Sequence, residues 1–394
     1  MSRTIPYGMV GGGPGAFIGG VHRMAAALDG ELELVAGAFS ADAARSAETG
    51  RSLGLSAGRV YESFEQMAER EAALPPEERI RFVSIVAPNH LHHPVARAFM
   101  ERDIHVVCDK PLATTLADAE ELCRLAIERN LLFAVTFNYT GYPMVEEARE
   151  RLRSGELGGL RKVVVEYSQG WLSTLLEAEG HKQAEWRGDP ERAGPSSVLG
   201  DIGSHAHNLV RHVTGLEVRS LFANLGTVVE GRKMEDDATV LLELDAGVRG
   251  LLFCSQIATG ERNHLRLRVY GADGGLDWSQ EEPERLRLLV ADGSERVVYR
   301  GAGDRSPGAK GRTRLPAGHP EGFIEAFANL YRAMACALRA RDAGHAAGTA
   351  DGSGTLAPEF PTVADGARGV HFVERALESH RLRAWVDATY SPPI

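Results

Sequence analysis

The sequence predicts an α/β protein of two domains, in which an N-terminal doubly wound parallel sheet is followed by an α+β domain with an antiparallel sheet. Over residues 1–138, short apolar runs alternate with amphipathic segments, which is the pattern of βαβ units. From Arg161 onward, apolar runs instead follow one another with turn signals between them. A chain of 394 residues allows each domain to bury its own core. We therefore predict domains at residues 1–138 and 139–394.

The first domain is predicted to contain five strands with helices between them. The strands are expected at residues 5–10, 32–39, 82–87, 104–108 and 132–137. The helices are expected at residues 21–28, 41–53, 94–101 and 116–128, because these segments combine helix-forming residues with helical spacing of apolar positions.

The second domain is predicted to be an antiparallel sheet interrupted and followed by helices. Its strands are expected at residues 162–169, 216–229, 238–244, 248–255, 265–270 and 285–290. Its helices are expected at residues 144–153, 202–213, 321–341 and 363–379. Residues 301–318 are rich in Gly, Arg and Pro and indicate a long loop, and the small residues of 343–361 indicate a flexible surface excursion.

Composition excludes several classes of protein. The hydrophobic content of 43% and charged content of 25% are ordinary globular values. A formal charge of −10 argues against nucleic acid or an anionic membrane as the main partner, since both favour a basic face. No segment has the length and apolarity to cross a bilayer, and residues 1–7 lack a signal-peptide pattern, so we expect a cytoplasmic protein.

The cysteines and clustered histidines do not predict a metal site. Cys108, Cys123, Cys254 and Cys336 are too far apart for a metal knuckle or a redox pair, and we expect them to be buried thiols. Three histidines stand at residues 90, 92 and 93, but thiolate or carboxylate ligands are lacking beside them in the sequence. Imidazoles at the end of a strand can simply cap the next helix. We therefore predict no metal.

A glycine-rich turn after the first predicted strand indicates a phosphate-binding site. Glycine lets the backbone approach a pyrophosphate, whose charge is met by amides at a helix N-terminus. Gly11 and Gly13 have the expected spacing, and the third glycine is best matched by Gly19, after a two-residue extension. A tight structural turn is the alternative. The residues assigned to the dinucleotide here are Gly11, Gly13, Gly15, Phe17, Ile18 and Gly19.

The end of the second predicted strand leaves the choice of dinucleotide open. An acidic residue normally stands here to bind the adenine ribose. In this chain the position falls at Phe39 and Ser40, with Asp42 and Arg45 just beyond. Ser40 and Arg45 are able to hold a 2′-phosphate, although Arg45 equally fits a solvated helix. The sequence is therefore compatible with NAD or NADP.

Two further motifs supply polar groups suited to acid–base chemistry. Cys108 to Leu112 closes a strand and presents Lys110 at the edge of the sheet where ligands collect, with Pro111 restricting its backbone. Asp201 and His205 stand four residues apart, so on an α-helix they share one face. A carboxylate beside an imidazole suits a general base. An N-cap aspartate with a packed histidine is the commoner arrangement at this spacing.

Together these motifs resemble the glucose-fructose oxidoreductase and inositol dehydrogenase (Gfo/Idh/MocA) family over nearly the whole chain. They are the glycine turn with His22, residues 87–92 (APNHLH), residues 109–112 (DKPL) and residues 200–205 (GDIGSH), in this order. The resemblance implies an N-terminal Rossmann domain and a C-terminal α+β domain with a large open antiparallel sheet used for oligomerisation. It also implies hydride transfer between a nicotinamide and a secondary alcohol of a sugar or cyclitol.

The resemblance assigns roles to individual residues. Lys110 corresponds to the catalytic lysine, followed by a bond to Pro111 that is expected to be cis. Asp109 replaces the more common glutamate, and Asp201 with His205 matches the catalytic dyad. The residues that match the segment beside the nicotinamide are Ala87, Pro88, Asn89 and His92. The implied partners are a small sugar or cyclitol and further copies of the chain, in a dimer or tetramer.

A mechanism follows as a hypothesis. His205, held by Asp201, removes a hydroxyl proton while the carbinol hydrogen leaves as hydride, and Lys110 stabilises the developing alkoxide. Two other functions remain open: a glycosidase that uses NAD for transient oxidation and elimination, and a non-catalytic nucleotide-binding regulator. The residues expected to contact substrate are Tyr139, Trp186, Arg187, Asn208 and His319. For each of these, ordinary packing or capping is the alternative.

Overall fold

The structure is a computed structural model that describes residues 4–344 and 359–394. Most of the predicted excursion at residues 343–361 lies outside the described residues.

The first sheet is a five-stranded parallel sheet with the strand order β2-β1-β3-β4-β5. Its strands are β1 (Ile5–Gly11), β2 (Leu32–Ala38), β3 (Phe82–Val86), β4 (His105–Cys108) and β5 (Phe133–Val135). All residues of β3 are buried, as expected for a central strand covered on both faces. The order reverses beside β1, so the carboxyl ends of β1 and β3 open a crevice for a ligand.

The helices of this part are α1 (Phe17–Ala27), α2 (Ala43–Ser52), α3 (Phe64–Ala72), α4 (His92–Met100) and α5 (Leu116–Glu128). Three of these five helices, but not α1 or α4, begin at a polar capping residue. Asp42, Ser63 and Thr115 each accept a hydrogen bond from a backbone amide three residues on, which satisfies a donor that the helix leaves free. The first helix lacks such a cap.

The second sheet has nine strands in the order β13-β12-β11-β10-β6-β9-β8-β7-β14. The central strands are β6 (Leu160–Ser168), β7 (Val218–Gly226), β8 (Asp237–Leu244), β9 (Arg249–Ser255) and β10 (His264–Gly271). The others are β11 (Gly274–Ser279), β12 (Arg285–Val290), β13 (Glu295–Tyr299) and β14 (Val386–Asp387). Neighbouring strands are antiparallel except β6 and β9, which run parallel.

One face of this sheet packs against helices, and the other is open. The helices of the second part are α6 (Pro143–Arg153), α7 (Lys182–Arg187), α8 (Pro190–Ala193), α9 (Ser204–Thr214), α10 (Pro307–Gly311), α11 (Phe323–Asp342) and α12 (Val363–Leu382). Buried residues alternate along β8, so α6, α9 and α12 share a core with one face only. Helix α11 instead packs on α1, returning to the first sheet.

The structure confirms the predicted α/β class and adds elements that the sequence did not indicate. The second sheet is mostly antiparallel but contains one parallel pair, because the chain leaves β6, forms α7 to α9 and β7 to β8, and returns as β9 beside β6. Strands β11 and β13 and helix α3 were missed; β13 is a mostly exposed edge strand whose burial pattern carries little periodicity. Helix α10 interrupts the predicted loop at residues 301–318.

The expectation that all four cysteines are buried was wrong for one of them. Cys108, Cys123 and Cys254 are buried, whereas Cys336 is exposed. Helix α11 turns Met334, Ala335 and Leu338 towards the core, which leaves Cys336 on its solvent side.

Candidate active site

The glycine turn forms a tight connection between β1 and α1. Gly11 has a φ of +86°, and a Cβ placed there would lie 2.6 Å from the carbonyl oxygen of Val86 on the neighbouring strand. The Arg23 guanidinium donates a 2.9 Å hydrogen bond to the carbonyl of Gly12 and so braces the turn from helix α1. The backbone can take this path only because glycine lacks a side chain.

The first turn of α1 is shaped to receive a pyrophosphate. Gly19 packs so closely on the turn that a Cβ would lie 2.4 Å from the Cα of Gly12. The helix begins at Phe17 without a side-chain cap and without an acidic residue in its first turn, so its free amides remain available to an anion. Gly11, Gly13, Phe17 and Ile18 line one large cavity, whereas Gly15 and Gly19 do not line it. The residues present therefore fit a dinucleotide.

The end of β2 presents Ser40 and Arg45 to the same cavity and keeps Asp42 out of it. The Asp42 carboxylate accepts a 3.1 Å hydrogen bond from the amide of Arg45, and its own amide donates to Ser40 Oγ at 3.1 Å. Asp42 is therefore occupied as the cap of α2. The position that usually carries the ribose-binding acid is left without a carboxylate.

The segment after β3 forms the next wall of the cavity. Ala87, Pro88 and Asn89 line it, and the Asn89 side chain donates a 2.8 Å hydrogen bond to the carbonyl of Ala193 in the second part of the chain. His92 is buried behind this wall: its two ring nitrogens lie 2.6 Å from the Pro111 carbonyl and 2.9 Å from the Ala87 carbonyl. His92 thus braces two cavity walls without lining the cavity itself.

Lys110 reaches across from the first sheet to Asp201. Its Nζ donates to the carboxylate Oδ1 of Asp201 at 2.8 Å and to the backbone carbonyl of the same residue at 2.6 Å. The bond between Lys110 and Pro111 is cis. Asp109 turns the other way and accepts hydrogen bonds from the Lys110 amide and from Thr136 Oγ1, both at 2.9 Å. Asp109 therefore shapes the strand end that presents the lysine.

Asp201 is shared by three side-chain donors. Besides Lys110, its Oδ2 accepts from Gln256 Nε2 at 2.8 Å and from Arg187 Nε at 3.2 Å. Burial alone raises the pKa of this carboxyl, but the charges of Arg187 and Lys110 outweigh it and hold the pKa well below its usual range. The group is a carboxylate at neutral pH and holds the two cations together.

His205 packs against aromatic rings and makes no hydrogen bond to Asp201 within the described residues. Its ring contacts that of Tyr139 edge-on, with centroids 4.8 Å apart, and its buried Nδ1 has no hydrogen-bond partner among the described residues. Burial, aided by the Lys110 charge, lowers its pKa well below 6.5, and the Asp201 charge only partly opposes this. His205 is therefore neutral at physiological pH.

The predicted contact between Asp201 and His205 is not formed. Within residues 4–344 and 359–394, the Asp201 carboxylate bonds to Lys110, Arg187 and Gln256, and none of these bonds reaches His205. The spacing argument assumed an α-helix, whereas Leu199–Gly203 forms a π-helical turn before α9. Such turns change which side chains share a face and often occur at functional sites. Asp201 acts on His205 through its charge alone.

Tyr139, Tyr167 and Asn263 form a closed ring of hydrogen bonds at the second sheet. Asn263 Nδ2 donates to Tyr139 Oη at 3.3 Å, the two tyrosine hydroxyls are hydrogen-bonded to each other, and Tyr167 Oη donates to Asn263 Oδ1 at 2.8 Å. Because Tyr167 donates to Asn263, its hydroxyl accepts the proton of Tyr139. Each hydroxyl therefore uses its one donor and accepts one hydrogen bond, and both tyrosines line the cavity.

Trp186, Arg187 and Trp171 form an aromatic and cationic wall. The Arg187 guanidinium carbon lies 4.2 Å from the centroid of Trp186 and 6.0 Å from that of Trp171. Its Nη1 donates to Gln183 Oε1 at 2.7 Å. Stacking and hydrogen bonding together hold the guanidinium flat beside Asp201.

The cavity that joins these groups has a volume of about 1250 Å³. It runs from the glycine turn past Lys110 and His205 to the Trp186 wall. Two predicted residues do not reach it. Asn208 is buried in α9 behind the cavity, and His319 is exposed on the surface, where its carbonyl accepts from Arg300.

Sequence reasoning missed several residues that line the cavity, and also Gln256, which bonds to Asp201 beside it; some of these had a recognisable signal. Gln169 and Gln256 follow the parallel strands β6 and β9, and Asn263 precedes the antiparallel strand β10, so all three stand at one edge of the sheet. Polar residues that flank adjacent apolar strands could have indicated this cluster. Phe323 and Phe327 also line the cavity, but they come from α11, whose return to the first sheet had no local signal.

One further cluster of potential metal ligands lies outside the cavity. Among the described residues, His93, Asp118 and Glu121 bring ligand atoms within 4.8 Å of one another. Glu121 is already paired with Arg97 at 3.3 Å and with His93 at 3.1 Å, so ion pairing between α4 and α5 accounts for the arrangement.

Both halves of the chain match known family models. Residues 5–137 match the oxidoreductase family with an NAD-binding Rossmann fold, and residues 145–277 match the GFO/IDH/MocA C-terminal domain. An uncharacterized oxidoreductase of Bacillus subtilis, YfiI, is 30% identical, with 98% of each chain covered. The chain belongs to the Gfo/Idh/MocA oxidoreductase family. The predicted family resemblance is thereby confirmed.

Solved and curated members of the Gfo/Idh/MocA family are similar over the whole chain. An inositol dehydrogenase homolog from Azotobacter vinelandii, complexed with NAD+, is 36% identical with a TM-score of 0.93, and 98% of each chain is covered. The homolog was also solved with NADH and myo-inositol. Levoglucosan dehydrogenase of Pseudarthrobacter phenanthrenivorans is 26% identical over 98% of each chain. The protein is thus an NAD-binding oxidoreductase with sugar dehydrogenases among its relatives.

No helix within the described residues combines the length and the apolarity needed to cross a bilayer.

Proposed function

We propose that this protein is an NAD(P)-dependent dehydrogenase that moves hydride between a nicotinamide and a secondary alcohol or ketone of a sugar, cyclitol or sugar derivative. The observation that carries the proposal is that Lys110, Asp201 and His205 line the same cavity as the glycine turn. A substrate oxygen near Lys110 would therefore lie close to a bound cofactor. When bound, the nicotinamide supplies the acceptor or donor of hydride.

Lys110 is suited to bind the reacting oxygen. An ammonium group has three N–H donors, and two of those of Lys110 go to Asp201. The third is free to donate to a substrate hydroxyl and to stabilise the negative charge that grows on its oxygen as the proton leaves. Asp201 holds the ammonium in place, so little reorganisation is needed during the reaction.

His205 is suited to take the hydroxyl proton. Burial keeps it neutral, and it makes no hydrogen bond to another described residue, so a ring nitrogen can accept the proton. As the alcohol becomes a ketone, the O–H proton passes to His205 and the carbinol hydrogen leaves with the C–H electron pair. In the reverse direction His205 returns the proton.

The polar and aromatic groups around this pair suit a polyol ring. Gln169, Asn263 and Gln183 offer amide groups to hydroxyls, and the Trp186 and Tyr139 rings offer apolar faces. Arg187 and Lys110 are already neutralised in part by Asp201, so the wall does not require an anionic substrate. Trp186, Arg187 and Tyr139 therefore remain the proposed substrate residues.

The choice between the two dinucleotides is proposed to depend on Ser40 and Arg45. Arg45 lines the cavity, whereas the Asp42 carboxylate caps helix α2 and Asp42 does not line it. The residues that directly follow β2 therefore place no carboxylate against a ribose 2′-phosphate, although Glu62 and Glu65 line the same cavity. Titration of the protein with NAD+ and NADP+, followed by fluorescence, would measure the two dissociation constants directly.

A panel of substrates tests the proposed reaction. Hexoses, inositols, sugar acids and their keto forms are incubated with each dinucleotide, and absorbance of the reduced nicotinamide is followed. We expect reduction of NAD+ or NADP+ with at least one polyol. Cleavage of an aryl glycoside without net nicotinamide reduction would indicate a glycosidase instead, and nucleotide binding without turnover would indicate a regulator.

The variant Lys110→Ala tests the assigned residue. We expect kcat to fall by about 10²–10³ or more, because the donor to the developing alkoxide is lost. Nucleotide affinity should stay within about twofold, measured by fluorescence titration, because Lys110 is bonded to Asp201. Lys310→Ala is the matched control, since Lys310 also pairs with an aspartate at 2.8 Å but lies on the exposed surface. Unchanged turnover in Lys110→Ala would refute the assignment.

We also propose that the chain forms a homo-oligomer through the open face of the nine-stranded sheet. Phe222, Leu241, Leu251 and Val164 pair side by side across four adjacent strands, and Leu241 is 42% exposed. A contiguous apolar row of this kind favours coverage by another subunit. Light scattering should give at least twice the mass of one chain, and a monomer would contradict the proposal.

The free thiols agree with action in the cytoplasm, a reducing compartment.

A further inference from the structure

The loop at residues 171–181 carries part of the proposed substrate wall. Trp171 at its start and His181 at its end both line the cavity, and the loop leads directly into α7 with Trp186 and Arg187. Its first residues are tied to the sheet, because the Leu172 amide donates to the carbonyl of Gln256 at 3.0 Å. The rest of the loop contains only one 3₁₀ turn, Leu176–Glu179. Side-chain contacts must therefore hold the rest of this loop in place.

Arg232, outside the cavity, binds this loop with its whole guanidinium. Its Nε and Nη2 donate to the Glu177 carboxylate at 2.7 and 3.1 Å, and its Nη1 and Nη2 donate to the carbonyls of Leu172 and Thr174, both at 2.8 Å. A second bond from Nη1 reaches Asp236 at 3.1 Å. All five N–H groups of the arginine are therefore used. The side chain is only 2% exposed.

Asp236 anchors this arginine to the sheet. Its carboxylate is buried and also accepts from the amides of Val228 and Val229, at 2.9 and 3.1 Å. These residues connect β7 with β8. The loop at 171–181 is thus fastened through Arg232 to the connection between β7 and β8. Glu177 and Asp236 supply the counter-charges that a buried guanidinium requires.

The ion pair of Arg232 with Glu177, called the clamp below, also contacts the end of α7. Glu177 packs against Gly188, where a Cβ would lie 3.1 Å from Glu177 Cγ. Gly188 directly follows Arg187, whose guanidinium lies beside Trp171 and bonds to Asp201. A continuous set of contacts therefore leads from Arg232 through the loop and α7 to Asp201, which binds Lys110.

We propose that Arg232 is a positioning residue for the substrate wall: it holds the loop at 171–181 so that Trp171 and Arg187 face the reacting groups. This proposal rests on the proposed dehydrogenase function, because it assigns the wall to a polyol. Arg232 does not line the cavity, so it acts through the loop and through α7 without touching the substrate. Loss of the clamp releases the wall while Lys110 and His205 stay where the first sheet and α9 place them.

Arg300 supplies a matched control. Its side chain is also 2% exposed, and it binds Glu284, Glu321 and the carbonyl of Leu315. It clamps a different loop, residues 301–319, that does not line the cavity. Arg232→Gln and Arg300→Gln therefore remove equally buried guanidinium groups, of which only the first holds the wall.

Limited proteolysis tests the clamp without any assay of activity. The full chain with NAD+ is digested by a protease that cleaves after glutamate, and cleavage at Glu177 and Glu179 is followed by mass spectrometry. We expect at least tenfold faster cleavage in Arg232→Gln than in the wild type, and near wild-type rates at these two sites in Arg300→Gln. Equal rates in the two variants would overturn the proposal. If Arg232→Gln does not fold, Arg232→Lys, with at most three donors, should show an intermediate rate.

Kinetics separate a positioning role from loss of stability. With myo-inositol, or the polyol that the substrate panel identifies, we expect KM of Arg232→Gln to rise at least tenfold while kcat and the KM for the dinucleotide change less than threefold. Unchanged KM would overturn the proposal. If no polyol is oxidised by the wild type, the proposed function fails, whereas the proteolysis result still decides whether Arg232 holds the loop.

Discussion

At the scale of single residues, Asp201 has a different role from the one its spacing suggested. It binds Lys110, Arg187 and Gln256, and it influences His205 only by its charge. His205 is enclosed by Tyr139, Tyr167 and Phe137, so its protonation state is set mainly by burial. The site therefore separates two tasks: Asp201 orients the ammonium that binds the reacting oxygen, and a neutral imidazole receives the proton.

The lowered pKa of His205 leads to a prediction for the pH profile. A general base works only when neutral, and a pKa well below 6.5 keeps it neutral at all higher pH values. We expect kcat/KM for alcohol oxidation to show no loss attributable to His205 between pH 8 and 6.5, with the decline only at lower pH. The measurement is kcat/KM against pH at saturating dinucleotide. An acidic limb centred near 6.5 or above would show that burial does not control this group.

At the scale of elements, the turn between β1 and α1 combines a strand, three closely packed glycines and an uncapped helix start. Gly19 lies on the face of α1 that touches the turn, whereas Gly20, one residue on, has no atom within 4 Å of the position of a Cβ. Gly19 therefore allows α1 to pack closely on the turn, whereas a side chain at Gly20 would enter free space.

These two glycines give a matched pair of variants. We expect Gly19→Ala to weaken dinucleotide binding at least tenfold and to lower stability, because its methyl group would overlap the backbone of Gly12 and push α1 off the turn. Gly20→Ala should bind normally and gain up to about 1 kcal/mol of stability, since alanine favours helix over glycine. Fluorescence titration and thermal unfolding measure both effects. Equal behaviour of the two variants would contradict the close packing.

At the scale of the whole molecule, the chain returns to its first sheet near the C-terminus. Tyr331 of α11 hydrogen-bonds His22 and Ser84, both at 2.7 Å, under the glycine turn. His22 is buried and His371 is half-buried, and this burial lowers the pKa of both imidazoles to about 4. Folding therefore keeps these imidazoles neutral where an unfolded chain would protonate them.

This burial predicts a loss of stability in mild acid. A histidine with a pKa near 6.5 when unfolded and about 4 when folded contributes stability above pH 6.5 that is lost as the pH falls towards 4. The buried His22 costs up to about 1.4 kcal/mol per pH unit in this window, and the partly exposed His371 costs less because solvent screens its interactions. Urea midpoints between pH 7 and 4.5 should fall accordingly. The variant His371→Gln should show a shallower decline, and an identical slope would argue against the lowered pKa of His371.

Much of the site could be predicted because its signals are local in the sequence. The glycine turn, the strand end with Lys110 and the helix with His205 each occupy a short segment with a recognisable pattern, and the structure brings all three to one cavity. Asn208 and His319 were predicted from local spacing too, but the packing of α9 and the loop before α11 keeps them away. Arg232 had no signal, because the loop residues that it binds, Leu172, Thr174 and Glu177, are distant in sequence.

By itself, the sequence determined the α/β class, the parallel sheet with its glycine turn and the family to which the chain belongs. These depend on hydrophobic periodicity and on motifs within a few residues of one another. Only the tertiary structure decided that β6 and β9 are parallel, that a π-helical turn separates Asp201 from His205, and that α11 returns to line the cavity. Such features depend on contacts between distant segments, whose geometry is set by packing of the whole chain and not by local pattern.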